Sequence, residues 1–287
     1  KKNSMNKNFI RIIPKLDIKG PNLVKGMHLE GLRVLGKPEF FANFYYSEGA
    51  DELIYQDVVA SLYGRNSLHD IISRTAKEIF IPLTVGGGIR NLKDISDVLR
   101  AGADKVCLNT SAHENPKIIS DSSRMYGKST IVISIEAIKQ SDGSYMAFTD
   151  NGRNQTGSEV IAWAKKVEDL GAGEILLTSV DKEGTGEGID YNLISQVCKS
   201  VNIPVIAHGG IGKPEDVEKV ATDLPVSGVA ISSILHYQAI KFSDKNANFD
   251  DEGNIEFLKN KRSISLINTS RISDIKKLLK ENRIQIR

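Results

Sequence analysis

Short apolar runs alternate along the chain with longer amphipathic stretches. The runs are rich in Ile, Val and Leu, which is typical of strands that are buried on both faces of a sheet. They predict eight strands: Ile10–Ile18, Glu52–Val58, Ile81–Val85, Lys105–Asn109, Thr130–Glu136, Glu174–Val180, Val205–Ala207 and Gly228–Ser232. The stretches between them predict helices at Leu68–Ile79, Leu92–Ala101, Pro116–Tyr126, Ser158–Leu170, Asn192–Ser200 and Pro214–Thr222. This alternation indicates a parallel α/β fold, and eight strands favour one closed (βα)8 TIM barrel over an open sheet.

An internal repeat divides the predicted barrel into two similar halves. Pro82 and Pro204 are 122 residues apart, and Gly87 and Gly209 have the same separation. Asp17 and Glu136, which follow the first and fifth apolar runs, are 119 residues apart. Ordinary turn residues between strands and helices could produce one such match, but several matches at nearly one offset indicate a duplicated half-barrel.

Composition narrows the class of protein. The chain has 287 residues, a formal net charge of +2 and two cysteines, Cys107 and Cys198. The charge gives no strong footprint for nucleic acid, and two cysteines make no disulfide framework or zinc module. No apolar run is long enough to span a membrane, so a cytoplasmic location is expected. Five histidines lack metal-ligand spacing, and we expect neither a metal nor a cofactor: His28, His69, His113, His208 and His236.

Two glycine-rich turns predict phosphate binding. Each turn follows an apolar strand, where glycines let the backbone N–H groups approach an anion closely. Small polar residues end the next strand in each half, and in barrels such strand ends often hold phosphate. The residues concerned are Gly87, Gly88, Asn109 and Thr110 in the first half and Gly209, Gly210, Ser232 and Ser233 in the second. They predict one substrate with two phosphates; the alternative is tight turns without a ligand.

Acidic residues end several of the predicted strands. Asp17 and Glu136 end strands on opposite sides of the barrel, where burial and a nearby cation could give the two carboxyls different pKa values. They are the candidate acid and base. Asp57 and Asp181 end two further strands and could position substrate hydroxyls, and Lys25 lies within reach of the first loop. The alternative is that some of these acids only cap helices or pair with lysines.

Charged residues also begin four strands, at the opposite end of the barrel. Two are basic and two are acidic: Arg11, Glu52, Lys105 and Glu174. They could form a ring of ion pairs at the N-terminal mouth. Spacing alone favours the simpler interpretation of solvated strand ends, which contribute little energy.

Four segments resemble one known family. They are Arg11–Asp17, Gly86–Arg90, Ala101–Val106 and Gly171–Ser179. Together they resemble the cyclase subunit of imidazole glycerol phosphate synthase, the HisF family of histidine biosynthesis. The similarity runs from about Phe9 to Tyr237 and resumes near Ser270, so it covers most of the chain.

The resemblance implies a single barrel over residues 1–287 and a glutamine amidotransferase partner, similar to HisH, on the N-terminal face. Ammonia from that partner would cross the barrel and react with an open-chain ribulosyl aminoimidazole bisphosphate. Asp17 and Glu136 would do the acid–base work. Phosphates would lie near Gly88, Asn109 and Thr110 at one end and near Gly184, Gly210 and Ser233 at the other. The charged residues that begin the strands match the family's ammonia gate: Arg11, Glu52, Lys105 and Glu174.

Departures from the family pattern cluster near the reacting centre. Glu136 replaces an Asp, and Lys15 replaces a small Cys, so that it adds a cation beside Asp17 and should lower the pKa of that carboxyl. Glu183 and His208 also replace smaller residues. Residues 238–269 interrupt the connection between strand 8 and helix 8. These changes keep three alternatives open: an ammonia-channelling subunit for a bacterial surface sugar, a non-catalytic scaffold for the amidotransferase, and a phosphosugar isomerase.

Overall fold

The computed structural model describes residues 9–60, 68–242 and 266–287. Its strands are β1 (Arg11–Lys19), β2 (Asn22–Met27), β3 (Glu30–Gly36), β4 (Leu53–Asp57), β5 (Leu83–Gly86), β6 (Lys105–Leu108), β7 (Ile131–Lys139), β8 (Tyr145–Thr149), β9 (Asn154–Glu159), β10 (Glu174–Ser179), β11 (Val205–His208) and β12 (Gly228–Ile231). Its α-helices are α1 (Pro38–Ser47), α2 (His69–Ala76), α3 (Leu92–Ala101), α4 (Thr110–Glu114), α5 (Lys117–Tyr126), α6 (Val160–Asp169), α7 (Tyr191–Ser200), α8 (Pro214–Asp223), α9 (Ser233–Ala239) and α10 (Ile272–Glu281).

Eight parallel strands close into a barrel, in the order β1, β4, β5, β6, β7, β10, β11, β12 and back to β1. Each of these strands pairs in parallel with the next. Helices alternate with the strands along the chain. The predicted (βα)8 TIM barrel is therefore confirmed.

The main core lies between the barrel strands and the surrounding helices. Helix α3 shows how the chain builds this layer: the side chain of Asn91 caps its start by accepting from the Asp94 N–H, and Gly102 ends it at φ 120°. Its Ile95 and Val98 are buried against the barrel. Each fully buried aliphatic side chain of this kind contributes about 1.5–3 kcal/mol.

A second, smaller group of apolar side chains fills the inside of the barrel. This interior apolar layer consists of Ile13, Ile54, Cys107, Val132, Leu176, Ile206 and Ala230. Side chains alternate along a strand, so residues two positions away on the same strands also face inward. Arg11 and Lys105 therefore face the N-terminal side of the layer, and Lys15 and Ser134 face the C-terminal side.

Two antiparallel hairpins extend the barrel at its C-terminal end. Strands β2 and β3 form the first hairpin on β1, and β8 and β9 form the second on β7. The predicted first and fifth strands ended at Ile18 and Glu136, whereas β1 runs to Lys19 and β7 to Lys139. The difference arises because each strand continues beyond the barrel to pair with its hairpin.

The observed elements keep the separation of the two predicted halves. A distance of 122 residues separates Pro38 from Val160, His69 from Tyr191, Leu83 from Val205 and Leu92 from Pro214, which begin corresponding elements. This spacing supports the half-barrel repeat. Of the predicted insertion 238–269, residues 243–265 lie outside the described part of the chain. No helix within the described residues is long and apolar enough to cross a membrane.

Candidate functional site

A cavity of about 200 Å³ opens at the C-terminal ends of β4 to β7. Its lining includes the predicted residues Asp57, Gly87, Gly88, Asn109, Thr110 and Glu136. Ser111, which follows Thr110 in the same polar cluster at the strand end, lines it too. Sequence reasoning missed six further lining residues: Gln56, Arg90, Glu114, Ser134, Asp150 and Asn151. The turn Asp150-Asn151-Gly152 of the second hairpin carried a recognisable signal, because such residues tolerate the positive φ that all three adopt here. The hairpin thus adds a wall that the strand pattern did not predict.

Glu136 presents a buried carboxyl to this cavity. Burial is the largest effect and raises its pKa to about 7. Three smaller effects lower the pKa: the backbone N–H of Gly152, the charge of Lys15 and a hydrogen bond from Asn109. The Gly152 N–H donates to Oε2 at 2.8 Å. A carboxyl with a pKa near neutrality can hold or release a proton under ordinary conditions, which suits it to general acid or base work.

Asp17 is buried inside the barrel and accepts a hydrogen bond from the ammonium of Lys15. Burial raises its pKa, but the charges of Lys15 and Lys25 outweigh burial and leave the pKa below its usual value. This confirms the predicted effect of Lys15. Contrary to the sequence-based expectation, Asp17 does not line the 200 Å³ cavity; its carboxylate is instead buried in the ion pair with Lys15. The two carboxyls nevertheless share one electrostatic neighbourhood, since Lys15 lowers the pKa of both.

Lys25, predicted to bind substrate, forms an ion pair with Glu183 in which both side chains are only 1% exposed. The pair ties the first hairpin to the loop after β10. In the same contact, the His28 N–H donates to the Glu183 carbonyl at 2.9 Å and the Leu29 N–H donates to the Glu183 carboxylate at 3.3 Å. Gly184 packs so closely on the hairpin that a Cβ would lie 2.7 Å from the Gly26 carbonyl oxygen.

The first cradle consists of Gly87, Gly88, Asn109 and Thr110, which the structure brings together on the cavity wall. Asn109 Nδ2 donates to the Phe148 carbonyl at 3.2 Å. Among the described residues, Asn109 Oδ1 and the Ser111 hydroxyl are buried without a hydrogen-bond partner. Buried polar groups normally have partners, so these atoms suit a polar ligand in the cavity.

The second cradle consists of Gly184, Gly209, Gly210, Ser232 and Ser233, which also lie together. The space between them is only about 10 Å³, roughly one water molecule. Two neighbours restrict it: His208, buried with Nδ1 3.1 Å from Thr178 Oγ1, and the carboxylate-bearing Glu183. The two cradles therefore occupy corresponding positions in the half-barrel repeat, but they differ in size.

The two further aspartates lie in different places. Asp57 is buried at the rim of the first cavity, where Oδ1 accepts from the Val59 N–H at 3.0 Å. Asp181 accepts from the Lys139 N–H at 2.8 Å and lines a separate outer groove beside Lys182 and Tyr191. The structure thus brings Asp57, but not Asp181, to the cavity that Glu136 lines.

At the opposite end, four charged residues close a ring. Arg11 donates to Glu52 at 2.8 Å and also to Glu174, and the Lys105 ammonium lies 3.1 Å from Glu52 and 3.2 Å from Glu174. Both carboxylates are buried. Burial raises the pKa of Glu52, but Arg11 and Lys105 together hold it below its usual value. The simpler interpretation as solvated strand ends is wrong; this is a charged ring directly below the interior apolar layer.

Within the described ranges, no three His, Cys, Asp or Glu residues are grouped so that they could hold a metal ion. The histidines of the barrel are engaged elsewhere. His208 pairs with Thr178, and His236 lies between Tyr45 and the Lys15 carbonyl.

Comparisons with known proteins give one consistent result. A family model described as histidine biosynthesis protein matches residues 11–241. A protein from Legionella pneumophila is 57% identical over 207 residues, which cover 72% of this chain and 98% of that protein. Relatives from Prochlorococcus marinus (strain MIT 9515) and Clostridium botulinum (strain Okra / Type B1) are 50% and 43% identical, over 79% and 85% of this chain and 89% and 96% of their own lengths. All three are named imidazole glycerol phosphate synthase subunit HisF.

Proposed function

This chain belongs to the HisF family of histidine biosynthesis proteins, and we propose that it uses ammonia from a glutamine amidotransferase to cyclise a bisphosphorylated ribulosyl aminoimidazole. It is an enzyme of the imidazole glycerol phosphate synthase type, with the lyase and cyclase role of that family in histidine biosynthesis. One observation carries the proposal: the charged ring, the interior apolar layer and the cavity with Glu136 follow one another along the inside of a single barrel.

This order suits the passage of ammonia. The ring's carboxylates can accept hydrogen bonds from an ammonium ion, and its position at the strand starts places it at the N-terminal mouth. Beyond it, the layer from Ile13 to Ala230 offers no charge and no strong hydrogen-bonding group. Uncharged ammonia can enter such a region, whereas an ion would lose its hydration. The proposed route ends at Lys15, Asp17 and Glu136.

The carboxyl pair supports the cyclase chemistry. Attack of ammonia on the substrate's keto group requires one group to remove a proton from nitrogen and another to protonate the departing oxygen. Asp17, whose pKa is lowered, stays ionised and can take a proton, while Glu136, with a pKa of about 7, can give one. Environments that separate two carboxyl pKa values in this way identify an acid and a base. Asp57 and Asn109 lie on the cavity wall, where they can orient hydroxyls.

The first cradle is the proposed site for one phosphate and the second cradle for the other. Gly87 and Gly88 have φ values of 92° and 71°, and Gly209 and Gly210 have values of 100° and 98°. Such backbone favours glycine and can turn N–H groups toward an anion. The second cradle has to widen from its present size. Lys25 on β2 and Asp181 on the loop after β10 are the further proposed substrate contacts.

The N-terminal face is the proposed docking surface for the amidotransferase. Two large apolar side chains lie exposed there, immediately before strands: Phe9, 61% exposed, before β1, and Phe80, 82% exposed, before β5. Aromatic anchors of this kind are typical of interfaces. Both lie at the end of the barrel that the charged ring closes. Docking there would deliver ammonia directly to Arg11, Glu52, Lys105 and Glu174.

The cytoplasm is the proposed compartment. Both cysteines of the chain are free: Cys107 is buried inside the barrel and Cys198 is partly buried. Free thiols are usual in a reducing compartment.

The test uses the full chain with the bisphosphate substrate and an ammonium salt, followed by the same substrate with glutamine and a HisH-type amidotransferase. We expect product with ammonium alone and faster turnover with glutamine when the partner is present. Absence of turnover under both conditions, with a folded protein, would refute the proposal.

A second function is favoured by one specific observation: both lysines at the reacting centre, Lys15 and Lys25, are already engaged in buried ion pairs with acids. This centre would suit a different acceptor of ammonia, such as an activated bacterial surface sugar. Turnover of the bisphosphate at ordinary enzymatic rates would exclude it. Amidation of a sugar nucleotide without turnover of the bisphosphate would establish it instead.

A further inference from the structure

The backbone carbonyl of Lys15 accepts two side-chain hydrogen bonds from residues that follow β12, more than 200 positions later in the sequence. The Ser232 hydroxyl donates to it at 2.8 Å, and His236 Nε2 lies 3.0 Å away. The ladder between β1 and β12 ends one residue earlier, at Pro14 and Ile231. Side chains therefore continue the attachment of β1 where the backbone ladder stops. This point lies between the inward-facing side chains of Ile13 and Asp17.

The geometry fixes the tautomer of His236. A carbonyl oxygen can only accept, so Nε2 must carry the hydrogen, and Nδ1 must then be an acceptor. The Tyr45 hydroxyl lies 2.6 Å from Nδ1 and is the matching donor. Both side chains are at most 1% exposed, and burial lowers the pKa of His236 to about 3, which keeps the ring neutral. The rings stack at 5.8 Å, and Phe41 packs edge-on against the imidazole.

This network joins helix α1, through Tyr45, and helix α9, through His236, to the strand that carries Asp17. We propose that His236, oriented by Tyr45, is a positioning residue that holds the Lys15 backbone so that its ammonium stays paired with Asp17. The inference rests on the proposed role of Asp17 as the base. On this inference, turnover also depends on His236 and Tyr45, which do not line the cavity.

Loss of the Tyr45 hydroxyl leaves Nδ1 of a buried histidine without its donor. The ring can then change tautomer or rotate, and the Lys15 carbonyl loses one of its two side-chain hydrogen bonds. Asp17 is faced by Lys15 of its own strand, Lys25 of the first hairpin and His208 of β11. When Lys15 moves away, Asp17 loses its principal partner, and its pKa rises. A displacement of about 1 Å at a reacting group can reduce the rate by about 100-fold.

The decisive variant is Tyr45→Phe, and the matched control is Tyr55→Phe. Tyr55 is equally buried. On the helix side of β4, its hydroxyl lies 2.8 Å from Thr75 Oγ1 and donates to the Pro38 carbonyl at 3.4 Å, so its variant also loses buried hydroxyl contacts. We expect Tyr45→Phe to lower kcat by about 10-fold with little change in KM. The acid limb of the pH profile should move to higher pH. Tyr55→Phe should keep the wild-type profile.

The conservative exchange His236→Gln, whose amide can still donate to the Lys15 carbonyl, should retain more activity than His236→Leu. It also serves as the test if Tyr45→Phe fails to fold. Equal loss in His236→Gln and His236→Leu, with an unmoved pH profile, would show a merely structural role.

A titration of the Asp17 carboxyl by ¹³C NMR separates this inference from the proposed function. The resonance is assigned with Asp17→Asn and followed in wild type, Tyr45→Phe and Tyr55→Phe. A higher pKa in Tyr45→Phe alone supports the positioning role even if no substrate is turned over. An unchanged pKa, or the same shift in both tyrosine variants, overturns it. Wild type without turnover would count against the proposed function only.

Discussion

The backbone N–H of Gly152 donates to the carboxylate of Glu136 at 2.8 Å, and so joins the turn of the second hairpin to the carboxyl that lines the cavity. A single N–H stabilises the ionised form, yet burial is the larger effect and leaves the pKa of Glu136 at about 7. The side chain therefore changes its protonation state near neutral pH. This relationship has consequences for both activity and stability.

The pH dependence of turnover should show this carboxyl. If Glu136 acts as the acid, it is protonated below about pH 7, so kcat/KM should fall about tenfold per pH unit above that value. Glu136→Gln should lower kcat/KM by roughly 100-fold or more and remove this basic limb. Steady-state rates with ammonium chloride at corrected free ammonia concentration provide the measurement. A limb that survives in Glu136→Gln would assign it to another group.

The free energy of unfolding should also depend on pH through Glu136, and it should fall as pH rises. The folded protein keeps the Glu136 proton up to about pH 7, whereas the unfolded chain releases it near the ordinary glutamate pKa of 4.5. Stability from this group is therefore present below pH 4.5 and is lost as pH rises through 7. Glu136→Gln, which has no charge, should gain up to ~3 kcal/mol relative to wild type between pH 4.5 and pH 8. Urea unfolding at both pH values measures the difference, and a gain that does not depend on pH would contradict this assignment.

The charged ring yields a prediction about the source of nitrogen. Lys105→Ala leaves Glu52 and Glu174 with Arg11 as their remaining ring cation. We expect a larger loss of glutamine-dependent turnover than of ammonium-dependent turnover, because added ammonia can enter from the cavity side. Lys276→Ala is the control, since Lys276 pairs with Asp51 at 2.6 Å beside the ring without joining it. An equal loss by both routes would mean that Lys105 serves stability or catalysis.

A comparison of Gly87 with Gly143 separates two effects of adding a Cβ: overlap with neighbouring atoms at the first cradle, and backbone strain from a positive φ. Both have positive φ, 92° and 87°, but a Cβ on Gly87 would lie 2.2 Å from the Asp57 carbonyl oxygen, whereas one on Gly143 meets nothing within 4 Å. Gly143→Ala should lose only about 1–2 kcal/mol for its φ. Gly87→Ala should lose a further ~1–3 kcal/mol for the overlap. It should also weaken stabilisation by inorganic phosphate, measured as a shift in Tm; an undiminished shift would place the anion elsewhere.

The barrel could be predicted because its strands are buried on both faces, which makes them continuous apolar runs such as Glu174–Val180. The hairpins could not be predicted in the same way. Tyr145–Thr149 alternates between buried and half-exposed positions, and Glu30–Gly36 begins with exposed residues, so neither resembles a barrel strand. Antiparallel strands with one solvent-exposed face form no continuous apolar run, so they are harder to recognise in the sequence than buried parallel strands.

The site was predictable where it depends on local spacing. Lys15 and Asp17 are two residues apart on one strand, so their side chains had to share a face. The partner of Lys25 is Glu183, 158 residues away, and no local pattern indicates that pair. The small size of the second cradle has a similar origin, because it depends on how His208 and Glu183 pack against glycines from two different loops.

On the proposed ammonia route, the interior apolar layer would also determine where nitrogen loses its proton. An ammonium ion that entered between Ile13 and Leu176 would give up its water for hydrocarbon, at a cost of several kcal/mol. Nitrogen on the proposed route would therefore leave one proton on the N-terminal side, and one proton per turnover would return from there to bulk solvent. The nucleophile would reach Asp17 already neutral, so the proposed base would need to act only after the new carbon–nitrogen bond has begun to form.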